Sequence, residues 1–171
     1  MTPSTPPADP FPESGRIAAV DFGTVRIGIA ICDPDRILSS PYEVFPAANW
    51  KENGDYFCNL AKSQRVVAFV VGLPIHLDGG ESEKSKLCRE FAVWLAESTQ
   101  LPVQLFDERF TTVDANERMS IAGYTRKKKK KRVDAIAAHV LLESFIEACR
   151  YRGEIAGQRA STEEQGGEEI G

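Results

Sequence analysis

The apolar positions along the chain change period several times, and each change predicts an element. Residues 16–32 (RIAAVDFGTVRIGIAIC) read as two buried strands about a short turn. Ile17, Ala19 and Asp21 fall on one face of the first strand, Ala18 and Val20 on the other. Phe22-Gly23-Thr24-Val25 makes the turn, where Gly23 is free to take positive φ. Residues 26–32 run back, with Gly28 admitting a close neighbour. Residues 37–45 predict a third strand, interrupted around Pro41 and so placed at an edge. A helix over 50–62 would turn Phe57, Leu60 and Ala61 inward. The continuous apolar run 65–71 (RVVAFVV) predicts a strand covered on both faces, ended by Gly72-Leu73-Pro74.

A second helix opens near Ser82, with Lys84, Leu87, Cys88, Phe91, Ala92 and Leu95 on one face. Residues 103–106 predict the last strand, which runs into Asp107-Glu108-Arg109. Thr111 and Asp114 suit a capping box for a short helix through Met119. A final helix from about Val133 would bury Val133, Ile136, Ala137, Val140, Leu141 and either Ser144 or Phe145. The series predicts an α/β domain. Its mixed sheet of about five strands opens on an antiparallel hairpin, continues in parallel strands, and carries helices on both faces.

Composition changes this picture mainly at the ends. With 171 residues and 42% hydrophobic content, one domain with a full core is expected. Residues 1–14 hold five prolines and two acids, and predict a disordered leader; residues 153–171 carry five glutamates against Arg159, and predict a disordered acidic tail. The net charge of −4 divides into −2 in the leader, −4 in the tail and +2 in residues 15–152, the expected folded body. Four cysteines (Cys32, Cys58, Cys88, Cys149) are widely spaced and, with only His76 and His139 beside them, argue against a zinc site. They read as reduced thiols of a cytoplasmic protein. No segment has the length of apolar residues that a membrane span needs.

Three acidic positions carry the candidate chemistry. Asp21 ends the first strand, Asp107 and Glu108 follow the last strand, and Asp134 opens the final helix. In an open α/β sheet the carboxyl ends of parallel strands share one edge, where sites form. Carboxylates converging there repel one another unless divalent cations separate them, and oxygen-only ligands suit Mg²⁺ or Mn²⁺. Two such ions, about 3.5–4 Å apart, would clamp the attacking and leaving oxygens of a phosphodiester. The purely structural alternative is three unrelated surface acids, with Asp21 capping its own turn. The run RKKKKKR (Arg126, Lys127, Lys128, Lys129, Lys130, Lys131, Arg132) stands just before Asp134, on a predicted loop. Cations beside a helix N-terminus attract phosphate, although like-charge runs also occur as plain solvated segments.

These residues together resemble the YqgF/RuvX family of the RNase H-like superfamily, over about residues 16–150. Four motifs carry the resemblance, in order: Asp21-Phe22-Gly23 with Arg26-Ile27-Gly28; Gly72-Leu73-Pro74 with Asp78-Gly79; Asp107-Glu108-Arg109 with Thr111-Thr112; and the basic run with Asp134 and Ala137-Ala138. The resemblance implies an RNase H-like fold and a metal-dependent nuclease. Asp21, Glu108 and Asp134 would be its catalytic, metal-binding acids, with Asp107 the less certain of the adjacent pair. Arg26 and Arg109 would join the basic run in binding nucleic acid. The implied task is 5′-end processing of pre-16S rRNA. The alternatives are resolution of four-way DNA junctions, which would favour a homodimer, and a non-catalytic nucleic-acid-binding module. Asp21–Thr24 also resembles the phosphate loop of sugar kinases and actin-like ATPases, but one domain of this size leaves no room for the second domain those enzymes close around ATP.

Overall fold

A computed structural model of the protein describes residues 7, 9–74, 82–107 and 126–161, with residues 126–134 described by backbone alone. The first strand, β1 (Arg16–Phe22), turns into β2 (Arg26–Cys32), and β3 (Ser39–Pro46) follows. A 3-10 turn at Trp50–Glu52 leads into α1 (Gly54–Gln64), then β4 (Val66–Leu73), α2 (Glu83–Thr99) and β5 (Val103–Asp107). A long helix, α3 (Arg126–Arg152), and a two-residue strand, β6 (Gln158–Arg159), complete the described elements.

The six strands lie in the order β3-β2-β1-β4-β5-β6. The β1–β2 and β2–β3 pairs are antiparallel, β1–β4 and β4–β5 are parallel, and β6 returns antiparallel to β5. The mixed sheet with an opening hairpin is the expected one, enlarged by β6 from five strands to six. It has the alternation expected of strands covered on both faces. Ala18, Val20, Phe22, Phe69, Val71 and Leu73 pack with α1 and α2, whereas Ile17, Ala19, Ala68 and Val70 pack with α3.

On the first face the core is aromatic. Phe57 of α1, fully buried, meets Phe69 edge-on at 6.2 Å and Phe91 at 5.7 Å. The α2 N-terminus is closed by a capping box in which Ser82 Oγ accepts from the Ser85 amide at 3.1 Å and Ser85 Oγ accepts from the Ser82 amide at 2.8 Å. Ser85 is thereby buried where the periodicity placed Lys84, which points outward. The buried stripe of α3 likewise turns slightly from expectation: Ala135, Ala138 and Leu142 are inside, and Ala137 is only half-buried.

Two further expectations are corrected. The basic run does not lie on a loop: Arg126–Arg132 are the first residues of α3, which starts seven residues before Val133. Lysine and arginine are good helix formers, and their repulsion is small in water beside the helix they continue. Gly23 is not among the residues of positive φ; glycine is needed there because a Cβ would stand 2.6 Å from the Arg26 carbonyl oxygen.

The ordered fold also extends past 15–152 at both ends. Phe11 is buried edge-on against Phe145, with ring centroids 5.6 Å apart, and the Arg159 guanidinium donates to the carbonyls of Pro7 (3.0 Å) and Asp9 (2.6 Å). Ala156 and Ala160 are buried on either side of β6. The short helix expected through Met119 lies outside the described residues.

Candidate active site

Asp21 is held in place by its neighbours more than by its own burial. The next residue, Phe22, is 1% exposed, stacks on Phe91 at 4.6 Å and meets Trp50 edge-on at 5.5 Å. The Phe22 carbonyl accepts the Cys88 thiol at 3.8 Å, which ties the strand end to α2. Beyond it the Gly23 amide donates to the Arg26 carbonyl at 2.9 Å, and the Ala47 amide to the Val25 carbonyl at 2.8 Å. The hairpin mouth is therefore fixed on both sides, and Asp21, half-buried, emerges from it on the face that α3 covers.

Register supplies the surroundings. Asp21 pairs with Gly28 across the β1–β2 ladder. On its other side the last β1–β4 pair is Val20 with Val71, so Gly72 is the next residue alongside Asp21. Directly paired residues point to the same face, and here both partners lack a side chain. No side chain therefore flanks Asp21 from the strand positions on either side of it. Arg26, half-buried, shares that face through the two-residue period of β2 and stands one diagonal step from Asp21.

The remaining predicted acids are distributed as follows. Asp107, half-buried, ends β5 and pairs with Leu73 of β4. It reaches the same carboxyl edge as Asp21, but β4 lies between β1 and β5. At about 4.8 Å per strand the two backbones stand about 10 Å apart, so they do not meet as neighbouring strands would allow. Asp107 instead borders an open groove of about 1010 Å³ together with Ser144 and Glu147 of α3 and Gln158. Asp134 falls within α3, one turn before Ala138, which is fully buried against the sheet. The later half of α3 lies over the amino end of β1, since Phe145 and Ile146 line a cavity with Ile17. Traced backwards, the helix therefore runs toward the edge where Asp21 stands.

Glu108, Arg109, Asp78 and Gly79 lie outside the described residues. Among the described residues no three acids, histidines or cysteines converge as metal ligands would. None of their helices is long and apolar enough to cross a membrane. The feature that sequence reasoning missed is the place of Gly72 beside Asp21. Its signal was available in the equal depth of the two residues within β1 and β4, but became readable only once those strands were known to be adjacent.

The sheet order, the parallel core behind an antiparallel hairpin, and an acid at the carboxyl end of the first strand define an RNase H-like fold. The chain aligns with the solved Fowlpox virus resolvase in complex with Holliday junction DNA, with a TM-score of 0.51 and 17% identity over 78% of this chain and 97% of that one, a likeness of fold. A family profile described as "RuvX: Holliday junction resolvase" matches residues 15–148. A protein of Rhodopirellula baltica named "Putative pre-16S rRNA nuclease" is 64% identical over 91% of this chain and 90% of its own length. One of the same name from Koribacter versatilis is 36% identical over 81% and 91%. The chain belongs to the RuvX (YqgF) family, hydrolases acting on the ester bonds of nucleic acids.

Proposed function

We propose that this protein is a metal-dependent endonuclease of structured nucleic acid, acting in the cytoplasm at the 5′ end of pre-16S rRNA. The observation that carries the reading is Asp21. It is a half-buried carboxylate fixed at the carboxyl edge of the sheet, with a glycine position on each side of it. A carboxylate held at that edge is the kind of oxygen ligand a divalent cation takes, and neither neighbour in the sheet carries a side chain beside it.

Asp21, Glu108 and Asp134 are the acids that would hold the ion, with Asp107 in reserve. The donor set is oxygen only, which fits Mg²⁺ or Mn²⁺ and not zinc. Once bound, one or two such ions would supply charge neutralisation at the phosphate and a more acidic water. The two-residue period of β5 supports Glu108 over Asp107. Leu105 packs toward α1 and α2 while Phe106 packs toward α3, and one more step of the same period would carry position 108 to the α3 face. The chain's own part is to orient and to bind. Arg26, at the rim of the Asp21 face, is placed to meet a phosphate oxygen, with Arg109 as a second guanidinium. The seven cations of Arg126–Arg132, gathered at the amino end of α3, supply sequence-independent attraction for the backbone.

The deciding experiment offers the purified protein, with Mn²⁺, a pre-16S rRNA leader and a four-way DNA junction in parallel. Site-specific cleavage of the leader is the expected result. Cleavage of the junction alone would move the protein to the junction-resolving reading, with a two-fold homodimer as its working form. Binding of both without cleavage would leave a nucleic-acid-binding module.

A further inference from the structure

At the other end of the sheet, Arg36 is a cation with no counter-ion among the described residues. Its backbone takes the left-handed conformation (φ 57°), uncommon for a residue with a side chain. Its Nε donates to the Gly15 carbonyl at 2.8 Å, its guanidinium carbon lies 5.8 Å from the Phe11 ring centroid, and its own carbonyl accepts from Arg150. Phe11, Gly15 and Arg150 thus meet at one residue, the first two through its side chain and the third through its backbone carbonyl. Yet Nη2 is buried with no partner, the only such side-chain nitrogen or oxygen among the described residues. Burying part of a guanidinium and leaving one of its donors unmet is costly, more so than for a neutral group.

Arg36 lines a cavity of about 360 Å³ between the 13–17 segment, the 35–36 turn and the end of α3. Its walls are apolar where Ile17, Phe145, Ile146 and Ile155 meet. Three carboxylates also border it, from Glu13, Asp35 and Glu154, but all three residues are exposed at the rim, where water screens them. Arg150, also exposed, lines the cavity too, so the mouth carries three acids and one cation, with the Arg36 guanidinium deeper in. A volume of this size lies at the lower end for small-molecule sites, which combine apolar walls with a few placed polar groups.

We propose that this cavity binds a small organic monoanion, a carboxylate carried on an apolar body, with the Arg36 guanidinium as its anchor. A carboxylate seated against the guanidinium meets it in the paired geometry that group favours, and a small turn of the side chain would bring the buried Nη2 to the second oxygen. The apolar walls take the body of the ligand. The rim acids oppose a second negative charge, which selects against inorganic phosphate. The site is separate from the acidic edge: Ile17 precedes Asp21 by four residues of strand, about 13 Å. It does not depend on the nuclease reading.

The test is a titration of the full chain followed by backbone amide NMR, with phenylacetate as the probe and phenylacetamide and inorganic phosphate as comparators. Phenylacetate should shift the amides of Arg36, Gly153 and Ile155 saturably, and phenylacetamide and phosphate should bind at least tenfold more weakly. Arg36→Gln should weaken phenylacetate binding tenfold or more. Should that variant lose its folded spectrum, Glu154→Gln decides instead. It removes a rim charge from an exposed position and should tighten phenylacetate binding about twofold, the direction that rim repulsion requires. The proposal is overturned if phenylacetate produces no saturable shift, if the amide or phosphate binds as well, or if removing the rim charge fails to tighten binding.

Discussion

Asp21 and Gly28 face each other across the first hairpin, so the one carboxylate at the end of β1 is opposed by a residue that occupies no space beside it. Gly28→Val would fill that space with a branched side chain on the same face. The expected result is a folded protein with cleavage strongly reduced. Asp21→Asn should lower cleavage by several orders of magnitude while nucleic-acid affinity stays near that of the native chain. Combining it with Glu108→Gln or Asp134→Asn should add little further loss, because residues that act as one unit are not additive. Normal turnover by Asp21→Asn would refute the two-metal reading.

Asp107 and Glu108 are adjacent, and the proposed site gives them different roles. Asp107→Asn should retain substantial activity, and Glu108→Gln should not. Single-turnover cleavage rates for the two variants, measured side by side, decide between them; the reverse order would reassign the site to Asp107.

Replacing Lys127, Lys128, Lys129, Lys130 and Lys131 by glutamine removes five charges from the start of α3. Glutamine matches lysine in helix propensity, so circular dichroism should be unchanged. Binding should weaken for every sequence tested. If three of the five meet phosphates, the slope of log affinity against log salt should shrink by roughly two to three units. An unaltered slope would show that the run takes no part in binding.

The turn before β3 responds to pH through Asp33. Its carboxylate accepts from the amides of Leu38 (2.6 Å), Ile37 (2.8 Å) and Asp35 (3.2 Å), and those bonds, that from Leu38 foremost, hold its pKa below the ordinary aspartate value. A depressed carboxyl stabilises the folded turn above its unfolded pKa of about 3.9, and that contribution is lost as pH falls through the lower folded value. Hydrogen exchange at the Ile37 and Leu38 amides should accelerate, relative to the core strands, only below about pH 4. Asp33→Ala should show the faster exchange at neutral pH.

Phe57 is the test of the core. It is fully buried, with ring contacts to Phe45, Tyr56, Phe69, Phe91 and Trp94. Phe57→Ala should cost about 3–5 kcal/mol. For a chain of this length that lowers Tm by roughly 6–20 °C in calorimetry.

Much of the hairpin could be read from the chain alone. Alternation assigned Asp21 to the same face as Ile17 and Ala19, and that is the face α3 covers. What alternation cannot reveal is which strand lies beside which. The insertion of β4 between β1 and β5 is a tertiary outcome, and it separates Asp21 from Asp107 by a full strand. The basic run was read as a loop from its charge, although every residue in it favours a helix. At the chain ends composition hid packing: Phe11 sits among prolines, and Ala156 and Ala160 lie in a segment rich in acids. Gly157 marks the spot, since a Cβ there would stand 2.1 Å from the Leu105 carbonyl oxygen, but nothing local announces that approach.

The contacts of Phe11 and Arg159 also set an order of events during synthesis. Phe11 packs on Phe145 and under Arg36, and Pro7 and Asp9 are held by Arg159. The hairpin that carries Asp21 requires nothing beyond the first few dozen residues, and can pair while the rest of the chain is still being made. The segment that precedes it has to wait, undocked, until Arg159 has been made and has folded onto the sheet. Closing a loop of some 150 residues costs little more than closing a shorter one, so the delay is one of timing rather than of energy. The segment around Phe11 is thus fastened later than the hairpin it precedes, and a chain cut before Arg159 should leave that segment open to protease.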